Sequence, residues 1–276
     1  MAWQEEYQRK TVTLDEAAAL IKSGDRIMTG NRECRGILRK LSKRTDLKDV
    51  YYYGPIINFL ADEENVGYGF RPATSFLNDS SYALRDQGRL DYIPSEYWMY
   101  EKTATVGLNC KVAMIEVTKP DAHGYMSMGT CTDFIRRACK DADLVIAETN
   151  TEFPFIQGNN LIHISEIDYV VDEGENYALK NAPIDVDEEC LDTYKVIGGY
   201  LSGLIPNEAT IEVGLGRLNA ASLLFLEGKH DLGVHTEVYG DILMRLTEQG
   251  IITNACKSMN RGKSTFTQVV GTPELF

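Results

Sequence analysis

Apolar positions along this chain recur at two spacings, every third or fourth residue and every second, and the changes between them mark its elements. Thr13 and Glu16 stand in capping-box spacing ahead of an amphipathic stretch at 14–22, and Gly24 stops it. A strand at 25–29 follows, then a helical stretch at 34–41 and an aromatic, β-branched run at 50–53. Further strands are expected at 74–77, 112–117, 144–148 and 169–171, with helices at 80–87, 132–140 and 191–202. Strands and helices that alternate in this way predict an α/β fold with a largely parallel sheet.

The pattern also repeats. Gly24-Asp-Arg-Ile-Met-Thr-Gly30, its loop, a helix and Asp49-Val-Tyr-Tyr-Tyr match Ala209-Thr-Ile-Glu-Val-Gly214, its loop, a helix and Asp231-Leu-Gly-Val-His. Gly30 lies 19 positions before Asp49, and Gly214 lies 17 before Asp231, so the two βαβ openings have nearly equal reach. The expectation is two similar open α/β domains, at 1–206 and 207–276, the second cut short after a strand at 265–270 and a helix beginning near Pro273. Its sheet then has an edge that a partner, a second copy or a missing carboxyl-terminal half must cover.

Composition narrows the partners. With 28 basic and 41 acidic residues the net charge is −13, which argues against a nucleic-acid backbone or an anionic membrane surface. One basic run stands out: Arg32, Arg35, Arg39, Lys40, Lys43, Arg44 and Lys48, read chiefly as a solvated helix face, with a ligand phosphate as the other reading. No window approaches the roughly 18 apolar residues of a membrane span, and the first residues show no leader pattern, so a soluble cytoplasmic protein is expected. Cysteines 34, 110, 131, 139, 190 and 256 have no CxxC spacing, which fits reduced thiols and implies no zinc site.

Candidate chemistry centres on Glu237. It ends an apolar run within Asp231-Leu-Gly-Val-His-Thr-Glu-Val-Tyr-Gly-Asp241, just before a helix at 239–249. Side chains at the carboxyl ends of parallel strands face the crevice where ligands bind. Upstream, Gly214, Leu215, Gly216, Arg217 and Leu218 form a glycine turn between a strand and a helix, a place where backbone amides bind anions. Glycine at 214 and 216, with Glu237 21 residues past Gly216, also approaches a dinucleotide fingerprint with a ribose-binding acid. Asn219 occupies the position where that fingerprint wants Gly or Ala. On spacing alone Glu237 fits three roles: nucleophile, ribose ligand, or solvated acid near a helix start. His235 shares its face of the strand, but His235-Thr-Glu237 has no PCxxC partner for a zinc deaminase. Residues 121–129 read as a turn and a glycine-terminated strand, either lining the crevice or forming a hairpin-like connection.

Seven segments in order carry a family likeness: Ser23-Gly-Asp-Arg-Ile, Gly88-Arg-Leu-Asp-Tyr-Ile-Pro94, Asp121-Ala-His-Gly-Tyr-Met-Ser-Met-Gly129, Asp143-Leu-Val-Ile-Ala-Glu148, Asn160-Leu-Ile-His-Ile-Ser-Glu-Ile-Asp168, Val213-Gly-Leu-Gly216 and Leu232-Gly-Val-His-Thr-Glu237. Together they resemble the acetyl-CoA hydrolase/transferase branch of the class I CoA-transferases, which includes 4-hydroxybutyrate and butyryl-CoA:acetate CoA-transferases. The resemblance implies two α/β domains with the active site between them and Glu237 as the glutamate that becomes a glutamyl-CoA thioester. It implies that Gly214 to Leu218 contact CoA, and that acyl-CoA and a short-chain carboxylate are the substrates. Neither a metal nor a redox cofactor is implied, and the family habit is homo-oligomeric. The chain departs from the pattern at Asn31, where relatives commonly have His, at Asn219, where many have Pro, and in lacking the later part of the second domain.

Overall fold

The computed structural model describes residues 2–57, 69–172 and 191–276. The chain forms two compact units, Met1–Ala178 and Leu179–Phe276.

The first unit is built on a seven-stranded parallel sheet. Its strands are β1 (Arg26–Met28), β2 (Val50–Gly54), β3 (Phe70–Thr74), β4 (Asp91–Tyr92), β5 (Val112–Val117), β7 (Leu144–Thr149) and β9 (Tyr169–Val171). Their order is β4-β3-β2-β1-β5-β7-β9, so the chain starts in the middle, moves outward through β4 and returns to the other side of β1. Connections therefore diverge between β1 and β5, the kind of switch point outside which open α/β sheets bind ligands. Both faces are covered. Ile27, Tyr52, Met114 and Ile146 enter one core with Ala17, Ile37, Leu38 and Leu41 of the flanking helices. Met28, Tyr53, Ala113, Ile115, Val145 and Ala147 enter the other with Met126 and Ile135. Burial on both faces explains why these strands read as unbroken apolar runs, and each fully buried Leu or Ile contributes about 1.5–3 kcal/mol.

Several expected elements are present with their local causes. The Thr13–Glu16 capping box starts the helix Leu14–Leu20. The helix Arg35–Leu41 buries Ile37, Leu38 and Leu41, while Arg39 is exposed and Lys40 pairs with Asp15 at 2.8 Å, the solvated-face reading of the basic run. One strand is displaced: it occupies Phe70–Thr74 rather than 74–77. Pro72 hides the earlier run from a pattern reading, because proline cannot donate to a ladder. The chain leaves the sheet at Thr74, whose Oγ1 donates to Pro55 O at 2.7 Å. The helix expected at 132–140 is one turn, Ile135–Ala138, followed by a 3-10 turn at Cys139–Asp141. Two features went unread: the helix Ala2–Lys10, tied down by Trp3 Nε1 to Ala122 O, and the antiparallel pair β6 (Tyr125–Ser127) with β8 (Leu161–His163). The pair makes residues 121–129 a turn and strand that join 161–163.

In the second unit β10 (Thr210–Ile211), β11 (Gly233–Tyr239) and β12 (Thr265–Val269) form a parallel sheet with β11 in the centre. Val234, Leu243, Leu246 and Ile252 fill its core with Leu223 and Leu226. The helix Leu191–Leu204 packs on the helix Arg217–Leu223, where Gly198 meets the Phe225 ring so closely that a Cβ would lie 2.1 Å from Cδ2. That helix therefore groups with the second unit, ahead of the boundary expected at 206. No helix among the described residues is long and apolar enough to cross a membrane.

The two units repeat at the level of single hydrogen bonds. Gly24 N donates to Lys48 O, and Glu208 N to His230 O; Tyr51 N donates to Asp25 O, and Gly233 N to Ala209 O. Left-handed residues recur too, with Gly24 at φ +87° matching Glu208 at +67°, and Asp49 at +54° matching Asp231 at +56°. The crossover helices, Arg35–Leu41 and Arg217–Leu223, are seven residues each.

Candidate active site around Glu237

Alternation along β11 buries Val234, Thr236 and Val238 and turns His235, Glu237 and Tyr239 outward. Glu237 is half-buried on the central strand, two residues from its carboxyl end. Thr236 places the glycine turn beside it. Its Oγ1 accepts from Val213 N at 2.7 Å and donates to Val213 O at 2.8 Å, so the hydroxyl continues the strand pairing that β10 abandons at Ile211. The chain then passes Gly214 in front of the carboxylate: a Cβ at Gly214 would stand 3.9 Å from Glu237 Oε2 and 3.4 Å from Asn219 Nδ2.

The other carboxylate oxygen is braced, with Gln268 Nε2 of β12 donating to Glu237 Oε1 at 3.3 Å. The backbone of Glu237 is held on both sides, its N donating to Glu212 Oε1 at 3.4 Å and its O accepting from Thr267 Oγ1 at 2.8 Å. Gln268, Thr236, Thr267 and Glu212 escaped the sequence reading. Strand pairing was the missing signal, since Gln268 reaches Glu237 only because β12 lies in register beside β11.

The turn itself has the geometry of an anion cradle. Gly216 caps the helix Arg217–Leu223 at φ +145°, with no side-chain cap hydrogen bond. That φ favours glycine, and the helix's first amides carry the positive end of its dipole. Asn219 Nδ2 folds back to Gly214 O at 3.2 Å, so the side chain at the third fingerprint position closes the turn on itself. Leu215 and Leu218 are exposed. The repeat supplies a comparison within the chain. At the equivalent helix of the first unit, Glu148 of β7 accepts from Gly36 N at 2.9 Å and Ile37 N at 3.0 Å. A buried carboxylate thus occupies the first cradle, while the second has no side-chain cap and faces Glu237.

The side chain of His235 is exposed and makes no hydrogen bond among the described residues, while its backbone sits in the β11–β12 ladder opposite Thr265. Asn31, at the end of β1, donates its backbone N to Asp133 Oδ2 at 2.7 Å. Burial pushes the Asp133 carboxyl above its usual range despite the amides of Ile135 and Asn31 that hold it.

A parallel sheet with a strand-end carboxylate beside a glycine turn defines an open α/β fold of the kind that binds ligands outside the carboxyl ends of its strands. The acetyl-CoA hydrolase/transferase N-terminal domain matches residues 1–178, and the chain belongs to that family. It is 33% identical over 287 residues to the 4-hydroxybutyrate coenzyme A transferase of Clostridium kluyveri, covering 100% of this chain and 65% of that one. Against the butyryl-CoA:acetate CoA-transferase of Anaerostipes caccae it is 29% identical, covering 100% of this chain and 64% of that one. Among solved structures, RipA from Yersinia pestis superposes with a TM-score of 0.89 at 28% identity, covering 100% of this chain and 67% of RipA. The 4-hydroxybutyrate CoA-transferase of Porphyromonas gingivalis gives 0.79 at 25%, covering 99% and 66%. The chain thus spans about 65% of the length of the first of these relatives.

Proposed function

We propose that this protein transfers CoA between an acyl-CoA and a short-chain carboxylate through a glutamyl-CoA thioester on Glu237. One observation carries the reading: the Glu237 carboxylate has one oxygen braced by Gln268 and the other turned toward the Gly214 backbone. Membership in the acetyl-CoA hydrolase/transferase family and the CoA-transferase names of its relatives support it.

The chemistry follows from the carboxylate. A Glu237 oxygen attacks the acyl-CoA carbonyl carbon, the C–S bond breaks, and the products are an acyl-glutamyl anhydride and CoA thiolate. The thiolate attacks the glutamyl carbonyl carbon, the anhydride C–O bond breaks, and the free acid leaves. An acceptor carboxylate then runs the steps in reverse, so the thioester bond is conserved rather than hydrolysed. Negative charge develops on a carbonyl oxygen at each addition, and we assign the backbone amides of the 214–218 turn as the donors for it, a role supported by the closeness of Gly214 to Glu237. No step calls for a metal or a redox cofactor. The family's description also covers hydrolysis, in which water attacks the same thioester.

The test is covalent capture. The protein is incubated with acetyl-CoA or butyryl-CoA, trapped with borohydride or hydroxylamine, and mapped by mass spectrometry. Modification of Glu237 is expected, and acetate-dependent exchange of the acyl group separates transfer from hydrolysis. A chain left unmodified at Glu237 while it turns over acyl-CoA overturns the mechanism.

A further inference from the structure

We infer that Asn219 is the positioning residue of the glycine turn: by binding Gly214 O it sets the turn beside Glu237 for attack on the acyl group, and it adds little to the binding of acyl-CoA. All the residues involved lie in the second unit. The assignment rests on the CoA-transfer reading.

Two side chains fasten the turn, one at each end. β10 pairs with β11 as far as Ile211, opposite Val234. Beyond it the buried Thr236 takes hold, its Oγ1 accepting from Val213 N at 2.7 Å and donating to Val213 O at 2.8 Å. Both polar backbone groups of Val213 are thus fixed immediately before Gly214. At the far end Asn219, the third residue of the helix Arg217–Leu223, reaches back with Nδ2 to Gly214 O at 3.2 Å. That nitrogen spans both glycines, 3.4 Å from the position a Cβ would take on Gly214 and 3.8 Å from the one on Gly216. Glu237 Oε2 stands 3.9 Å from the same point on Gly214, so Asn219 grips the turn where it passes the carboxylate.

The turn needs such a grip. Neither glycine has a side chain to fix it, glycine has the greatest backbone freedom of any residue, and Gly216 stands at φ +145° without a side-chain cap bond. A Gly214 peptide released from Asn219 is free to turn its carbonyl, a partial negative charge, toward the place where the acyl oxygen becomes anionic. Donors already set before charge develops cost no reorganisation during attack, so the effect falls on the rate and not on ground-state binding.

A purely local role in starting the helix makes the opposite prediction. Asn219 is exposed in the helix's first turn, where the dipole favours an anion, so Asp there serves the helix start at least as well. Asn219→Asp keeps the shape of the side chain, but its carboxylate cannot donate to Gly214 O.

Stopped-time capture of the Glu237 adduct across butyryl-CoA concentrations gives a saturating rate and a half-saturating concentration for the wild type, Asn219→Ala and Asn219→Asp. Hydrogen exchange of the 213–219 segment and a thermal melt are recorded on the same proteins. The saturating rate is expected to fall about threefold to tenfold in Asn219→Ala, the scale of one neutral hydrogen bond, and further in Asn219→Asp. The half-saturating concentration of Asn219→Ala changes by less than about twofold. Asn219→Asp melts no lower than the wild type, and exchange in the turn quickens in both variants. An unchanged saturating rate in Asn219→Ala, a loss carried by its half-saturating concentration, or an Asn219→Asp variant as fast as the wild type overturns the assignment. If the wild type forms no adduct, the CoA-transfer reading fails and exchange alone judges Asn219: quickened exchange keeps it as the residue that holds the turn, and unchanged exchange removes it.

Discussion

Gly214 leaves room for the Glu237 carboxylate: the position a Cβ would take on Gly214 lies 3.9 Å from Glu237 Oε2. Gly214 is not in the left-handed region, and a methyl group there makes ordinary contacts with Asn219 and Glu237. Gly214→Ala is therefore expected to fold with an unchanged melting temperature while screening the turn's amides from the reacting carbonyl. Adduct formation should slow by about tenfold or more, the scale of losing a preorganised donor. Stopped-time capture with butyryl-CoA and a thermal melt check both halves.

Gln268 Nε2 donates to the Glu237 carboxylate from the neighbouring strand at 3.3 Å, a contact that in the proposed mechanism orients the nucleophile. Gln268→Leu removes one neutral hydrogen bond to a carboxylate, which predicts a slowing of adduct formation by about threefold to thirtyfold. Gln268→Glu sets a like charge against Glu237 and should slow it further, and the loss should ease as pH falls and the new carboxyl is neutralised. Rates of capture across pH give the comparison. Glu237→Asp, which retracts the nucleophile by one methylene, is expected to be worse than Gln268→Leu.

Glu148 has a different job. Its carboxylate satisfies the Gly36 and Ile37 amides inside the first unit, and it is buried at 1% exposure. Glu148→Ala leaves both amides without that partner and should cost about 2–5 kcal/mol of stability. Denaturant unfolding of the first unit measures this, and a change below about 1 kcal/mol contradicts the assignment.

Thiol reactivity should divide sharply. Burial pushes the thiols of Cys110, Cys131 and Cys139 up to about 12, and that of Cys34 well above the ordinary value. Cys256 is exposed. Because the thiolate is the nucleophile, these four should stay unlabelled by a maleimide at pH 7.5 in the folded protein while Cys256 reacts. Raising pH toward 9 should leave the division intact, since pKa values near 12 keep those thiols protonated. Peptide mapping before and after unfolding reads it out.

The sequence was most legible where the cause is local. The Thr13–Glu16 capping box, the helix stop near Gly24 and the apolar runs of β5 and β9 depend on neighbours in the chain, and they stand where the pattern puts them. The βαβ repeat was legible for the same reason: Asp49 and Asp231 take up the same left-handed turn ahead of equivalent strands. The strand through Pro72 and the pairing of β6 with β8 were not, because each is stabilised by partners distant in sequence.

The same division runs through the functional residues. Sequence alone marked Glu237 and the turn from Gly214 to Leu218, since strand, glycine and helix periodicities are local and the ordered segments carry the family likeness. Spacing alone left Glu237 between nucleophile, ribose ligand and solvated acid, and the family resemblance favoured the nucleophile. Only the tertiary structure set Gln268 against one of its oxygens and Gly214 against the other, which required β12 to pair in register beside β11. Arg32 was read chiefly as part of a solvated basic face, with a ligand phosphate as the other reading, and folding leaves it half-buried with its Nη2 on Thr130 Oγ1. Periodicity reports which way a side chain points along its own element, whereas a site is made by residues that meet through strand pairing, and that information lies in the contacts.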